Sequence, residues 1–224
     1  MSQCDRADFF HGPLAIAVDQ IVSLTTGESP LEEGRVFFVS KGRLEQVARG
    51  LKSNKKLSRL PGKKSPKETA YFYQNARALA ACAIDLEIKT ASPVIAVLFR
   101  DADGTASTGR GEWNDKFQSM LRGFEAESFH RGVPMIPKPK SEAWLICCFK
   151  SHPYQHCQGL EGRSGNDRSP AALKTELKNL LEGAATRVAI LKKLETDKID
   201  FTRIGMSSFE AFRARLEDVV RGGL

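Results

Sequence analysis

Nowhere in these 224 residues do apolar side chains run on for the roughly eighteen positions that a membrane-spanning helix requires. The first thirty residues lack a basic start, an apolar stretch and a small-residue cleavage site, so no secretory leader is expected and the chain reads as cytoplasmic. Cysteine is sparse. The five residues are an odd number without framework spacing or a CxxC pair, which argues against a disulfide-stapled secreted fold and for a reducing compartment. Aromatic side chains make up only 8%, with two Trp and three Tyr, so no series of base-stacking platforms can be read off. Internal repeats and low-complexity tracts are also missing. What remains is an ordinary globular composition, 41% hydrophobic over 24.7 kDa, enough for one large domain or two small ones whose core needs no staples.

The charge is unevenly spread. Residues 41–67 hold ten basic side chains (Lys41, Arg43, Arg49, Lys52, Lys55, Lys56, Arg59, Lys63, Lys64 and Lys67) against one acid, Glu45. That window carries +9 and leaves −2 for the rest of a chain whose net charge is +7. Such a local field attracts phosphate backbones or an acidic partner surface, although the same lysines also suit a solvated loop.

Hydrophobic spacing predicts helices over residues 8–24, 42–51, 68–88, 112–129, 141–150, 169–182, 184–195 and 207–221. Strands are predicted at residues 35–40 (RVFFVS), 94–100 (VIAVLFR) and 133–136 (VPMI), the second apolar enough to be buried on both faces of a parallel sheet. Strands alternating with helices give an α/β fold with a mostly parallel sheet flanked by helices, followed by a helical C-terminal region. We expect an α/β domain over residues 1–150 and a helical extension packed on it over residues 151–224.

In parallel sheets ligands gather beyond the carboxyl ends of the strands. Asp101 and Asp103 occupy such an end. Carboxylates at i and i+2 of an extended segment point to one side and can converge on a hard cation, magnesium or manganese. The plainer reading is a loop cap at Asp101 followed by a turn. After the last strand comes PKPKSEAWL, in which Ser141 is a plausible N-cap and Glu142 falls in the first helical turn. If both loops share one sheet edge, Lys138, Lys140 and Glu142 join the aspartates. The group Cys147, Cys148, His152, His156 and Cys157 has enough soft ligands for zinc, but Cys147 and Cys148 follow Trp144, Leu145 and Ile146 in an apolar helix, where Cys commonly serves as core.

The order helix, strand, helix, VIAVLFRDAD, helix, VPMIPKPKSEAWL resembles the Toprim fold, shared by topoisomerases, primases and the OLD-type (overcoming lysogenization defect) nucleases. The SEAWL box and the late SSFEAFRARL helix resemble small bacterial Toprim-like proteins. The resemblance covers roughly residues 1–150. It implies magnesium held by Asp101 and Asp103 with Glu142 as an additional ligand; with a site so placed we expect Glu142, Lys138 and Lys140 at the phosphate as catalytic residues, and nucleic acid, DNA in preference to RNA, bound by Lys52, Lys55, Lys56, Arg59, Lys63, Lys64 and Lys67.

The function it implies is a magnesium-dependent nuclease, in the setting of anti-phage defence. It also implies, as an alternative, a non-catalytic subunit paired with an ABC-type ATPase; apart from the resemblance, copies of the chain itself are the other expected protein partner. The chain departs from the Toprim pattern in one place: an apolar first strand ending in Glu should precede the first helix, and MSQCDRAD is short and polar. Either the coding sequence begins further upstream, or Asp5 or Asp8 substitutes, or the protein is not catalytic. DADGT also resembles the HAD phosphatase motif, with Asp101 as nucleophile and Asp103 as acid/base, but no convincing acidic pair follows; Glu217 and Asp218 lie in a terminal helix.

Overall fold

The apolar run over residues 94–100 has side chains to bury on two faces, and it becomes the strand around which the protein is layered. The computed structural model describes residues 3–4, 10–54, 67–102, 113–183 and 185–223. In chain order these form β1 (Gln3–Cys4), α1 (Pro13–Thr26), β2 (Phe37–Phe38), α2 (Lys41–Asn54), α3 (Lys67–Thr90), β3 (Ala96–Phe99), α4 (Trp113–Glu125), β4 (Gly132–Met135), α5 (Ser141–Phe149), α6 (Leu173–Leu180), α7 (Arg187–Thr196) and α8 (Ser207–Gly223). Short 3-10 helices lie at Cys157–Gly162 and Phe201–Arg203. Among the described residues no helix is long and apolar enough to cross a membrane.

The fold is α/β and its strands are parallel, but they stand in two pairs, β1 with β2 and β3 with β4, where one mostly parallel sheet is expected from the sequence. Too short and polar to be expected as a strand, Gln3–Cys4 nevertheless pairs with Phe37–Phe38. A ladder is only as long as its shorter member, which holds β2 to two residues of the apolar stretch 35–40. Asp5 and Asp8 lie outside the described residues. The first helix begins at Pro13, later than its apolar spacing suggests, because proline suits the first helical position and has no N–H to leave unpaired there.

β3 turns successive side chains toward two cores, but Phe99 is exposed, so burial on both faces holds for only part of the expected run 94–100. Ala96, Leu98 and Ala102 face a layer built from α3 and α4 with Phe72, Ala76, Met120 and Phe124. Ile95 and Val97 pack toward the other layer, where Val133 and Met135 of β4 meet α1, α5 and the C-terminal helices through Leu14, Trp144, Phe209 and Phe212. Residues 151–224 therefore contribute to the same apolar core as α1 and β4, and α8 lies across both.

The approach of β4 to α4 leaves no room for a side chain at one position. A Cβ on Gly132 would stand 2.1 Å from Cγ of Phe124, whose ring is fully buried. Gly132→Ala is therefore expected to lower stability by about 1–3 kcal/mol through overpacking, read as a shift of the urea midpoint at unchanged slope.

Candidate functional site

The ladder between β3 and β4 runs on past both strands: the Arg100 N–H donates to the Met135 carbonyl and the Ala102 N–H to the Pro137 carbonyl, each at 3.0 Å. These bonds carry Asp101 and Ala102 and the loop before α5 out of the sheet side by side. Asp101 then accepts the Ser141 N–H at Oδ1, 2.8 Å, so the strand end and the SEAW box meet at the first turn of α5. Ser141 is not the N-cap that its sequence position suggests. Lys140 holds the extended N-cap conformation without a side-chain cap, and the Asp101 carboxylate takes over the work of satisfying the helix N-terminus from a neighbouring strand. Glu142 lies in the first turn, as expected, 3.5 Å from the Ser141 hydroxyl, which donates to it.

Burial pushes the Asp101 carboxyl up to about 6; the Ser141 N–H lowers it, the neighbouring Glu142 carboxylate raises it, and Lys140 lowers it again. The two carboxylates thus share one place at the carboxyl end of a parallel pair, and the burial of one is not fully offset by its partners. Asp103 lies outside the described residues.

Lys140 is half-buried and its ammonium pairs with Asp167 at 2.9 Å, which holds the Asp167 carboxyl below its ordinary range. The sequence gives no signal for this partner, because Asp167 sits in a polar, turn-rich connection distant in the chain. Lys138 is exposed, and the Lys138–Pro139 peptide bond is cis. Of the expected nucleic-acid-binding residues, Lys52 falls in the last turn of α2 and Lys67 opens α3, while Lys55, Lys56, Arg59, Lys63 and Lys64 lie outside the described residues. Tyr71, Phe72 and Tyr73 follow one another in α3 just after the basic segment; Phe72 is core and Tyr71 is exposed, with the Arg100 guanidinium 5.6 Å over its ring.

Two further groups close in from α3 and α4. Arg100 donates to Oδ1 of Asn75 at 3.1 Å. Lys116, in α4, is buried and donates to the Ala102 carbonyl. An isolated lysine in an amphipathic helix gives no sequence signal of this kind, and its burial is visible only once the fold is known.

The Cys/His cluster does not form a zinc site. Cys147 and Cys157 are joined by a disulfide, with Cα atoms 5.4 Å apart, although the cysteine count and spacing give no reason to expect one. Among the described residues, which include all five of that cluster, no group of three or more His, Cys, Asp or Glu side chains is arranged to hold a metal ion. Cys148 faces the apolar core, and its thiol is pushed well above the ordinary range by burial, with Asp200 adding to the shift. Iodoacetamide at pH 8 is therefore expected to label Cys148 only after unfolding, as read by peptide mass spectrometry; rapid labelling of the native protein would contradict its placement.

Compared with known proteins, the chain matches no family model, no curated sequence and no solved structure. The site must therefore be judged on its own donors. Asp101 and Glu142 offer hard carboxylate oxygens of the kind magnesium and manganese prefer, and the Asp101 carboxyl is raised chiefly by its burial. Among the described residues no third His, Cys, Asp or Glu joins these two to complete a metal-holding group, so they supply only part of a cation's shell.

Proposed function

We propose that this protein is a metal-dependent nuclease of Toprim type, with Asp101, Asp103 and Glu142 holding magnesium or manganese. The observation that carries this reading is the bond from the Ser141 N–H to Asp101, which brings the first carboxylate of the DxD and the SEAW box to a single point. A divalent cation bound there supplies charge neutralisation and polarises a phosphodiester oxygen. The chain's own groups do the rest. Asp101 and Glu142 orient the cation, Glu142 accepts or returns a proton at its free carboxylate oxygen, and Lys138 and Lys140 hold the substrate phosphate, Lys140 exchanging Asp167 for it. The basic segment from Lys41 to Lys67 supports the choice of a nucleic-acid substrate: its +9 charge suits backbone phosphates without reading sequence.

The test is cleavage of plasmid and single-stranded DNA with magnesium or manganese, comparing the wild type with Asp101→Ala and Asp103→Ala. Both variants are expected to lose at least about 100-fold in rate while remaining folded by circular dichroism. Equal cleavage by all three proteins, or none by the wild type with either metal on either substrate, would overturn the proposal.

A further inference from the structure

A guanidinium drawn partly out of water must recover its hydration from protein groups, and a carboxylate is the usual source. Arg100 is half-buried, yet no carboxylate pairs with it among the described residues. Two of its N–H groups go to neutral acceptors, the Phe99 carbonyl and Oδ1 of Asn75, each at 3.1 Å, and its Nε is buried without a partner. Asn75 is itself buried and donates its amide to the Tyr71 carbonyl at 2.7 Å, which turns its oxygen toward Arg100. The guanidinium is thereby held over the ring of Tyr71, 5.6 Å from its centroid. Tyr71 is 42% exposed, whereas Phe72 beside it is core. An anchored cation without its counter-charge thus stands next to an open aromatic ring. The surroundings favour a polyanion: α2 packs against α3 and carries Arg43 and Arg49, both exposed, whose side chains bond to the Gln46 amide and the Glu45 carbonyl and to no carboxylate among the described residues.

We propose that Arg100 and Tyr71 form a binding site for one nucleotide of single-stranded nucleic acid, Arg100 taking a backbone phosphate on its remaining N–H groups and Tyr71 stacking a base on the part of the ring that Arg100 leaves open. This rests on the nucleic-acid part of the reading above and adds to it the strand preference and the residues that read it. Arg100 and Asp101 are neighbours at the end of β3 and turn to opposite sides, Arg100 to Asn75 of α3 and Asp101 to Ser141 of α5, so a strand crossing that end can touch both. A duplex keeps its bases stacked inside, and only an unpaired base can lie on Tyr71. Arginine suits the phosphate because its planar fork offers parallel donors and it stacks on aromatic rings. One base on one ring typically changes affinity by about 5–150-fold, and one phosphate contact changes the salt slope of single-strand binding by about 0.7.

The experiment uses the full chain in EDTA, so that binding is read apart from cleavage, with fluorescein-labelled oligothymidylate as the probe and fluorescence anisotropy over a series of salt concentrations as the readout. Tyr71→Ala is expected to bind about 5–150-fold more weakly with its salt slope unchanged, and Tyr71→Phe, which keeps the ring, to stay within about twofold of the wild type. Arg100→Gln should weaken binding and lower the slope of log affinity against log salt by about 0.7, whereas Arg100→Lys keeps the charge and the slope. A labelled hairpin duplex should bind Tyr71→Ala as it binds the wild type; an equal loss on both probes would overturn the assignment to single strands. Wild-type affinity and slope in folded Tyr71→Ala and Arg100→Gln would overturn the inference while leaving the nuclease reading to the aspartate variants. Should Arg100→Gln fail to fold, unchanged affinity in Tyr71→Ala, altered only at an exposed ring, would overturn it equally. A wild type that does not bind oligothymidylate would also overturn it. The expected losses in a protein that cleaves no DNA would support this site and remove the nuclease reading alone.

Discussion

Replacing Asp101 by Asn is expected to stabilise the metal-free protein at neutral pH while removing its response to divalent cations. Asn keeps an oxygen to accept the Ser141 N–H, so the α5 cap is preserved. The two side chains differ in titration. Burial raises the Asp101 carboxyl from 3.8 to about 6, so the folded state holds a proton that the unfolded state releases earlier. Its stabilising contribution is complete below the unfolded value and is lost as pH rises through about 6. Asparagine does not titrate. Between pH 4 and pH 7.5 the stability difference should therefore move in favour of Asp101→Asn by about 2 kcal/mol, once partial exposure is allowed for. Urea denaturation at the two pH values measures it, and a difference that stays constant would remove the buried, undercompensated carboxylate from the account. Millimolar magnesium should then raise the melting temperature of the wild type and leave Asp101→Asn unmoved, because a ligand stabilises only the state that binds it.

The largest loss of stability is expected from Trp144→Ala. Trp144 is fully buried two residues after Glu142, its indole N–H donates to the Ser208 hydroxyl at 3.0 Å, and its ring meets Phe209 edge-on at 4.9 Å and Phe212 in a stacked arrangement at 6.0 Å. Ser208 is itself buried and donates its backbone N–H to Glu161 at 2.7 Å, so the indole closes a chain of polar contacts running from α5 through α8 to the 3-10 helix at Cys157–Gly162. Removing the ring leaves a cavity between α5 and α8 and a hydroxyl with one partner fewer. The expected cost is about 3–5 kcal/mol, a large part of what holds a domain of this kind together. Trp144→Phe keeps most of the apolar volume and loses the N–H, and should cost about 1–2 kcal/mol. Urea unfolding of both variants separates packing from the hydrogen bond. A cost below about 1 kcal/mol for Trp144→Ala would mean that α5 is not anchored to α8 in this way.

The helices were legible because their apolar spacing is strong and their ends are marked: Gly27 closes α1 in the left-handed region, with its N–H on the Ser23 carbonyl, as a glycine at that position should. The strand at residues 94–100 was legible from its uninterrupted apolar run, and its carboxyl end located Asp101. Meeting of that end with the SEAW box could be expected from the topology of parallel strands, since both loops leave the same edge. The particular bond could not, because Ser141 looks like its own cap and only the fold delivers a carboxylate to replace it. Lys116, Asp167 and the Cys147–Cys157 pair were hidden for a related reason: each depends on a partner brought close by packing, and none lies in a pattern with a period. The division of the strands into two pairs was equally hidden, because apolar spacing marks a segment as a strand without stating how many residues its neighbour supplies.

The most direct test of a cation held at the carboxyl end of β3 is a manganese titration of the wild type and Asp101→Asn at pH 7.5, followed by electron paramagnetic resonance of the free ion. The wild type should remove manganese from solution with a saturable site, and Asp101→Asn should weaken that site by at least about 100-fold with its fold intact. Identical binding curves for the two proteins, or no saturable site in the wild type, would contradict the account.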